Sequence, residues 1–514
     1  MDFADSPRPR WPVVVAVGFM LAFTGAVGAW GARANGWHFA YALDDAYIHL
    51  ATARNFAAHG VWGVTRYEFA PATSSLLWPL LLSAIHALTG WLLMVPLALN
   101  LALGAAVLAV CDRVAGLANA WARLALLLAI VVCGPFPVLL LSGMETMLHV
   151  LLAALFLHAV AGLISSEESP SAKRIAMAAT LAAALVATRF EGLFLAFPAC
   201  VSLLWRRRWV AGIAIGAAAW VPVAAFAAYS IPRGGMWLPN PVLLKSASLE
   251  PGAFALNALV AMWRLPLMAV LLAGVVGCWW IAREPGHRAR LAIFGAGLLL
   301  HMQFARTGHL YRYEAYLVIL AMALIAPLIP WRNAPRRQVV GAGLIALLAA
   351  VPMAARGGKG LLRGANASIE IYAQQWMMGS FLAAHYNREV VAANDIGAIA
   401  FLTDVHLVDL WGLADTAVAR ARMRGEFDGA AIGEYLRRRN ARIAVCYPNA
   451  LGDQHGMIPV ASWTIPAGWA VPQGKVAFFA ADEAEAARLD ANLREFAPRL
   501  PARVVQHYER GGAK

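Results

Sequence analysis

The sequence predicts a mainly α fold, a polytopic bundle of transmembrane helices followed by a small α/β unit, and three observations carry that expectation. Only 14% of the 514 residues are charged, against roughly 25% in soluble domains. Apolar residues make up 61% before the 43 glycines are counted, more than a single soluble core can hide. The charges are also unevenly spread. Residues 1–354 hold 37 of them and residues 355–514 hold 34, so a transmembrane domain over 1–354 precedes a soluble domain over 355–514. A net charge of +13 ordinarily raises nucleic acid as a partner. Here the basic residues sit in short clusters between apolar runs, the pattern of cytoplasmic membrane loops, and nucleic acid is set aside. The cysteines Cys111, Cys133, Cys200, Cys278 and Cys446 are scattered without a CxxC and support neither a metal site nor a disulfide framework.

A spanning helix needs roughly 20 apolar residues. The candidate runs are 12–30, 92–111, 124–141, 147–164, 175–204, 209–229, 264–282, 289–304, 312–330 and 338–354. The first could be a cleaved signal peptide, since Arg8 and Arg10 precede it and Ala32-Arg33-Ala34 follows. Its apolar run exceeds the roughly 7–15 residues of a signal core, which favours a retained helix. Basic residues prefer the cytoplasmic side, so Arg206 to Arg208, the Arg283/Arg288/Arg290 loop and Arg332/Arg336/Arg337 lie inside with the N-terminus. Putting Arg113, Arg123, Lys173 and Arg174 inside as well requires two departures from simple spans. Segment 76–90 must lie along the outer interface or re-enter, and 175–204 must be two short helices turning at TRFEG (188–192). The result is about eleven crossings, with the N-terminus cytoplasmic and the C-terminal domain extracytoplasmic. A rival that spans 76–90 and keeps 175–204 whole reaches the same number but leaves Arg113, Arg123 and Lys173 on the wrong face.

In the tail, EVVAANDIGAIAFLTD (389–404) is a strand-like run with a Gly turn, and VHLVDLWGLAD (405–415) suggests a second strand. IGEYLRRRNARIAVCYP (432–448) suggests a helix feeding a third.

Ionisable residues in a membrane domain mark function by default. The preferred topology places Asp44, Asp45, Glu68, Glu145, Glu191, Glu250 and Glu314 on the outer side. The strongest cluster is YALDDAYIHLATARN (41–55), where Tyr47, Leu50, Ala51 and Arg54 recur at helical spacing behind two adjacent carboxylates. The carboxylates then sit at the N-terminus of a helix on the membrane surface, either as an N-cap plus a solvated acid or as a general base. SGMET (142–146) puts Glu145 at the head of a span, where dipole compensation is the plain alternative. TRFEG buries Arg189 and Glu191, which an internal ion pair would also explain. WLPNPVLLK (237–245) offers Asn240 and Lys245 on a Pro-fixed turn or a mere loop. GHLYRYEAY (308–316) offers His309, Arg312, Tyr313 and Glu314, or an aromatic belt with a snorkelling Arg. Their convergence on one face is the argument. A carboxylate that deprotonates an acceptor hydroxyl, beside cations that hold a departing phosphate, suits group transfer from a lipid phosphate. Zinc hydrolysis would need clustered His and Cys, and there is no HExxH.

These segments also carry a family resemblance. DDAYIHLATARNFAAHG (44–60), PATSSLLWPLLL (71–82), LSGMETML (141–148), TRFEGLFL (188–195), LPNPVLLK (238–245) and NDIGAIAFLTDVHLVDLWGLAD (394–415) together resemble the GT-C class of polytopic membrane glycosyltransferases. Within that class the arabinofuranosyltransferase-like branch is the most similar. The resemblance implies a polyprenyl-phosphate sugar donor, a glycan or protein acceptor reached from the extracytoplasmic side of a bacterial inner membrane, and inversion at the sugar. By position it implies Asp44 as the catalytic base with Asp45 as its partner. It places Arg54, Glu145, Arg189, Glu191, Asn240, Lys245, His309 and Arg312 in the donor pocket. Relatives often read Arg-Tyr-Ala after the acidic pair where this chain has ATARN, which puts Arg54 in a different register. Some members of the class use a divalent cation, but nothing here resembles a dedicated all-protein cage. The alternative is a transporter or flippase for a lipid-linked saccharide. Against it, no inverted halves are visible and the charges crowd the outer face rather than the midplane.

Overall fold

The apolar runs become helices that differ sharply in length. The computed structural model describes residues 8–245, 259–262, 265–328, 336–453, 455–466, 468 and 470–509; Glu250 and Arg332 lie outside them. Among the described residues, four helices are long and apolar enough to cross a membrane: Trp11–Ala34, Val95–Ala115, Thr146–Ser165 and Trp209–Arg233. Five apolar helices are shorter: Leu77–Thr89, Ala120–Cys133, Phe190–Trp205, Pro266–Ile281 and Ala315–Leu328. At the α-helical rise, 13 residues reach about 20 Å, short of a hydrocarbon core of roughly 30 Å. By length and composition, then, the described residues supply four clear crossings of the eleven expected.

The breaks have local causes. The run 124–141, expected as one span, divides at Gly134-Pro135 into Ala120–Cys133 and Phe136–Leu141, because proline cannot donate into the preceding turn and disfavours helix in the residue before it. The run 175–204 divides at Arg189, whose φ of -155° and ψ of 134° are extended. Helix Ala172–Thr188 lies before it, and the short turn Phe190–Gly192 and helix Leu193–Trp205 lie after it. Helix ends inside a bilayer are tolerated only where protein covers the freed backbone groups. The break at Arg189 therefore brings Arg189 and Glu191 to a buried helix terminus, as Glu145 is at the head of Thr146–Ser165.

Thr146–Ser165 is the central helix, packed against Val95–Ala115, Ala172–Thr188, Pro285–Phe304 and Ala315–Ile325. It is apolar all round, as a helix surrounded by others must be. On the outside of the bundle, Trp205, Trp209, Ile213, Trp220, Val221 and Trp280 are exposed, and Arg206 to Arg208 sit between Trp205 and Trp209. That apolar surface with its aromatic and basic edge is stable against lipid rather than water, and the architecture is that of a multi-pass membrane protein.

Helix Arg336–Ile371 runs through position 354 without interruption and continues as the π-helical turn Tyr372–Trp376 and the helix Met377–His385. One rod thus joins the bundle to the C-terminal unit. That unit is a six-stranded sheet of β1 (Val390–Ala393), β2 (His406–Asp409), β3 (Ile443–Cys446), β4 (Ile458–Thr464), β5 (Lys475–Ala480) and β6 (Val505–Tyr508), in the order β2-β1-β3-β5-β4-β6. β1 pairs parallel with β2 and β3, and the remaining pairs are antiparallel. The three strands expected from the sequence are β1, β2 and β3. Helix Gly397–Leu402 links β1 to β2, and helix Gly429–Arg438 precedes β3.

Under the sheet, Trp463 packs on Phe478 and Phe496 with ring centroids 4.6 and 6.0 Å away, and Phe381 closes the cluster from the rod at 5.9 Å. Truncating so large a buried ring costs about 3–5 kcal/mol. Trp463→Ala should therefore strip hydrogen-exchange protection from β4 and β5, while the amides of the central membrane helix Thr146–Ser165 keep theirs.

Candidate active site

Two short helices lying side by side organise the centre. Asp44 immediately precedes helix Asp45–His59 but makes no capping bond to it. Its Oδ2 accepts from the Gly397 N–H at 2.7 Å and its Oδ1 from the Ala398 N–H at 2.8 Å, so it caps the helix Gly397–Leu402 of the C-terminal unit. Arg54, three turns further along, serves the other end of that helix. Its Nη1 donates to the Phe401 carbonyl at 2.7 Å and its Nη2 to the Ala400 carbonyl at 3.1 Å. A carboxyl group thus meets orphan N–H groups at the positive end and a guanidinium meets orphan carbonyls at the negative end. Gly397 is required by this approach, because a Cβ there would collide with the Asp44 backbone and carboxyl.

Asp45 faces a different neighbourhood. Its Oδ2 accepts from Arg312 Nη2 at 2.8 Å and lies 3.9 Å from Lys245 Nζ. His309 Nδ1 is 3.3 Å from the same Arg312 nitrogen, a contact that needs a neutral imidazole. Burial, then the adjacent Arg312, push His309 down to about 3, which satisfies that requirement. Arg312 is only 3% exposed, so it does not snorkel. Its Nε and Nη1 are buried without a hydrogen-bond partner among the described residues.

His309 and Arg312 are presented by a strained turn. Gly308, His309, Leu310 and Tyr311 have φ values of 96°, 49°, 55° and 66°, and each non-glycine residue there costs roughly 1–2 kcal/mol. The turn is held by Glu314, whose Oε2 accepts from the Gly308 N–H at 2.7 Å. Arg356 reinforces it by donating to Glu314 Oε1 at 2.5 Å and to the Tyr311 carbonyl at 3.1 Å. Strain of this kind persists only where the surroundings over-determine it, and it clusters at functional sites.

A buried ion network lies behind Asp45. Arg189 donates through Nη1 to Glu145 Oε1 at 2.8 Å and through Nη2 to Glu191 Oε1 at 2.6 Å. His49, one helical turn after Asp45 and so on the same face, has Nε2 3.7 Å from Glu145 Oε2. Glu145 makes no capping bond to its own helix; its side chain is committed to Arg189.

A further carboxylate comes from the C-terminal unit. Asp395, in the loop after β1, accepts from Gln375 Nε2 at 2.7 Å, from Asn394 Nδ2 at 3.1 Å and from the Tyr447 hydroxyl. Gln375 belongs to the π-helical turn of the rod. Burial, then the negative Asp395, push Asp44 up to about 8 against the pull of the two backbone N–H groups. Burial would raise Asp45 too, but Lys245, Arg312 and His309 outweigh it and hold that carboxyl well below the usual range. Two adjacent carboxyl groups thereby acquire opposite proton affinities.

Of the ten residues singled out from the sequence, Asp44, Asp45, Glu145, Arg189, Glu191, Lys245, His309 and Arg312 gather here. Arg54 and Asn240 do not join this cluster of charges. Arg54 is committed to the carbonyls above. Asn240 Nδ2 donates to the Gly412 carbonyl at 3.0 Å, and its backbone N–H to Pro71 at 3.1 Å. Both fasten the C-terminal unit to the outer loops. His49, Arg356, Gln375, Asp395 and Tyr447 were not singled out in advance. The i,i+4 spacing of Asp45 and His49 and the NDIGAIAFLTD segment that holds Asp395 are the available signals; Arg356, Gln375 and Tyr447 are brought in by tertiary packing. Among the described residues no group of three His, Cys, Asp or Glu could hold a metal ion.

Comparison with known proteins bears on the fold. A family model described as a domain of unknown function (DUF8728) matches residues 367–488. No curated protein matches the sequence. Among solved structures, the crystal structure of ArnT from Cupriavidus metallidurans bound to undecaprenyl phosphate is similar over 91% of this chain and 99% of its own, with 14% identity and a TM-score of 0.51. Its apo state gives the same identity and TM-score over 92% of this chain and 99% of its own. The Archaeoglobus fulgidus oligosaccharyltransferase in complex with Zn and sulfate is similar over 95% of this chain and 77% of its own, with 13% identity and a TM-score of 0.50. This chain shares the GT-C fold of these structures.

Removing one member of a buried ion pair typically costs about 3–5 kcal/mol, because the partner is left charged and unpaired. Arg189→Ala abandons two carboxylates at once, whereas Glu191 is 22% exposed and can turn to water. Arg189→Ala should therefore lower the unfolding midpoint in detergent much more than Glu191→Gln. Equal losses would show that Arg189 is not the hub of this network.

Proposed function

We propose that this protein is a membrane glycosyltransferase. It moves a sugar, arabinofuranose-like on the sequence resemblance, from a polyprenyl-phosphate donor to a hydroxyl of a cell-envelope glycan or protein. The reading places the N-terminus in the cytoplasm, eleven helices across a bacterial inner membrane, and residues 355–514 on the extracytoplasmic face beside the site. The observation that carries it is Arg312: a buried guanidinium that pairs with Asp45 while two of its nitrogens have no partner, next to the half-buried Lys245. An anion is what such a pair of cations lacks. The undecaprenyl phosphate bound in the ArnT structure supports a lipid-linked one.

The chemistry follows from the two carboxyl groups. Asp44, ionised, takes the proton of the acceptor hydroxyl as its oxygen bonds to the anomeric carbon. The bond from that carbon to the phosphate oxygen breaks, and the electron pair leaves with the polyprenyl phosphate. Arg312 and Lys245 stabilise the charge that collects on the leaving phosphate. Asp45 keeps these cations oriented and neutralised until the donor arrives. Attack opposite the departing phosphate inverts the sugar.

Asp44→Asn should abolish transfer while lipid-donor binding survives; turnover at the wild-type rate would sink the assignment. A base with its proton affinity raised to about 8 works only when deprotonated. The kcat/KM of the wild type should therefore climb as pH rises towards 8 and level off above it, and a profile already flat above pH 5 would exclude Asp44. Lys245→Ala should raise KM for the donor roughly tenfold with a smaller change in kcat, since a phosphate contact made in both ground and transition states is lost. Incubation with a panel of polyprenyl-phosphate sugars reads all three. Movement of intact donor across vesicles without glycosidic transfer would replace this reading with the flippase.

A further inference from the structure

The Asp44 carboxyl has no bonded partner from its own helix; both oxygens rest on amides of the C-terminal unit, at Gly397 and Ala398. The turn that offers those amides begins at Asn394-Asp395, directly after β1. Three side chains fix it. Gln375 reaches it from the π-helical turn of the rod, where an extra residue in the helix ladder redirects the side chain. Tyr447, just beyond β3, donates its hydroxyl to Asp395. Asn394 both donates to Asp395 and accepts from the Tyr447 N–H at 2.8 Å. Asp395 is therefore the point where the rod, β1 and β3 are tied together, two residues before the helix that Asp44 caps.

We propose that Asp395 is a positioning residue for the transfer reaction, and that through it the C-terminal sheet unit completes the catalytic centre. This rests on Asp44 being the base. Asp395 acts in two ways. Its hydrogen bonds hold the 394–398 turn so that the two amides meet the Asp44 oxygens, and its negative charge beside Asp44 makes that carboxyl a stronger base. The groups that face Asp44 are the carboxylates of Asp395 and Asp45, the hydroxyls of Tyr447 and Tyr47, and the amides of Gly397 and Ala398. Burial raises the Asp395 carboxyl as well, against the Tyr447 and Gln375 hydrogen bonds that favour its charge; when ionised it is the carboxylate facing Asp44 without a cation of its own, since Asp45 is paired with Arg312 and Lys245. A bundle without the sheet unit would keep its phosphate-side cations but lose the support of its base.

The test is the pH profile of kcat/KM for the full-length protein, with the undecaprenyl-phosphate-linked sugar that the wild type consumes. Asp395→Asn keeps the shape and removes the charge. Its rising limb should move to lower pH by about one unit, the size of effect a neighbouring like charge produces. A uniform fall in rate at every pH, with the limb unmoved, would mean that Asp395 only supports the fold and would overturn the proposal. If Asp395→Asn does not fold, Tyr447→Phe serves instead. Loss of the donor makes Asp395 hold a proton more readily, so the limb should again move down, and an unmoved limb again overturns the proposal. Asp44→Asn run alongside separates the two readings. Turnover in that variant defeats the glycosyltransferase base itself. A dead Asp44→Asn with an unshifted Asp395→Asn defeats this inference alone.

Discussion

The capping of one six-residue helix from both ends is the constraint on which the rest depends. Gly397–Leu402 is too short to be stable by itself, and its orphan amides and carbonyls are answered by Asp44 and Arg54 from a helix more than 340 residues earlier in the chain. That contact fixes where the C-terminal sheet sits on the membrane bundle. It also fixes which way the first acidic loop points, because Asp44 held on Gly397 and Ala398 leaves Asp45 turned to Lys245 and Arg312. The different electrostatic fates of two consecutive aspartates follow from this single docking geometry.

Around that contact the protein stores cost in several places and offsets it in others. The left-handed turn at 308–311 is unfavourable for each of its non-glycine residues, yet Glu314 and Arg356 clamp it from both sides. Arg189 is buried, but each of its two terminal nitrogens meets a carboxylate. Arg312 is the exception, since only part of its hydrogen-bonding capacity is used. A buried guanidinium with idle donors is expensive in a protein interior, and a bound anion is the natural way to recover that cost.

The polar segments in the apolar chain were readable because a membrane makes ionisable residues rare and so conspicuous. Their partners were not. Glu145 and Arg189 are 44 positions apart, and Asp45 and Arg312 are 267 apart. No local periodicity encodes such pairings. Arg54 and Asn240 show the same limit from the other direction: the family resemblance assigns both to the donor pocket, and both are bound to carbonyls at the junction with the sheet. The breaks at Gly134-Pro135 and Arg189 also differ. The turn at TRFEG is expected from where the basic residues must lie and is found at Arg189, whereas 124–141 is expected whole although Gly134-Pro135, where it divides, is a local signal against it.

Legible in the sequence alone were the membrane character, an apolar bundle ahead of a more polar tail, the first three strands of that tail, and an acidic pair at the head of a helix, although that helix is buried rather than lying on the membrane surface. Each of these follows from composition or from periodicity over a few turns, which are local properties. Folding alone settles that an unbroken rod joins the tail to the bundle, that Asp44 is bonded to the sheet unit while Asp45 is bonded to Arg312, and that Asp395 ties the rod to the sheet beside Asp44. Those outcomes depend on burial and on charges meeting across hundreds of residues. Both arise only when the chain has folded back on itself and excluded the water that would otherwise have screened them.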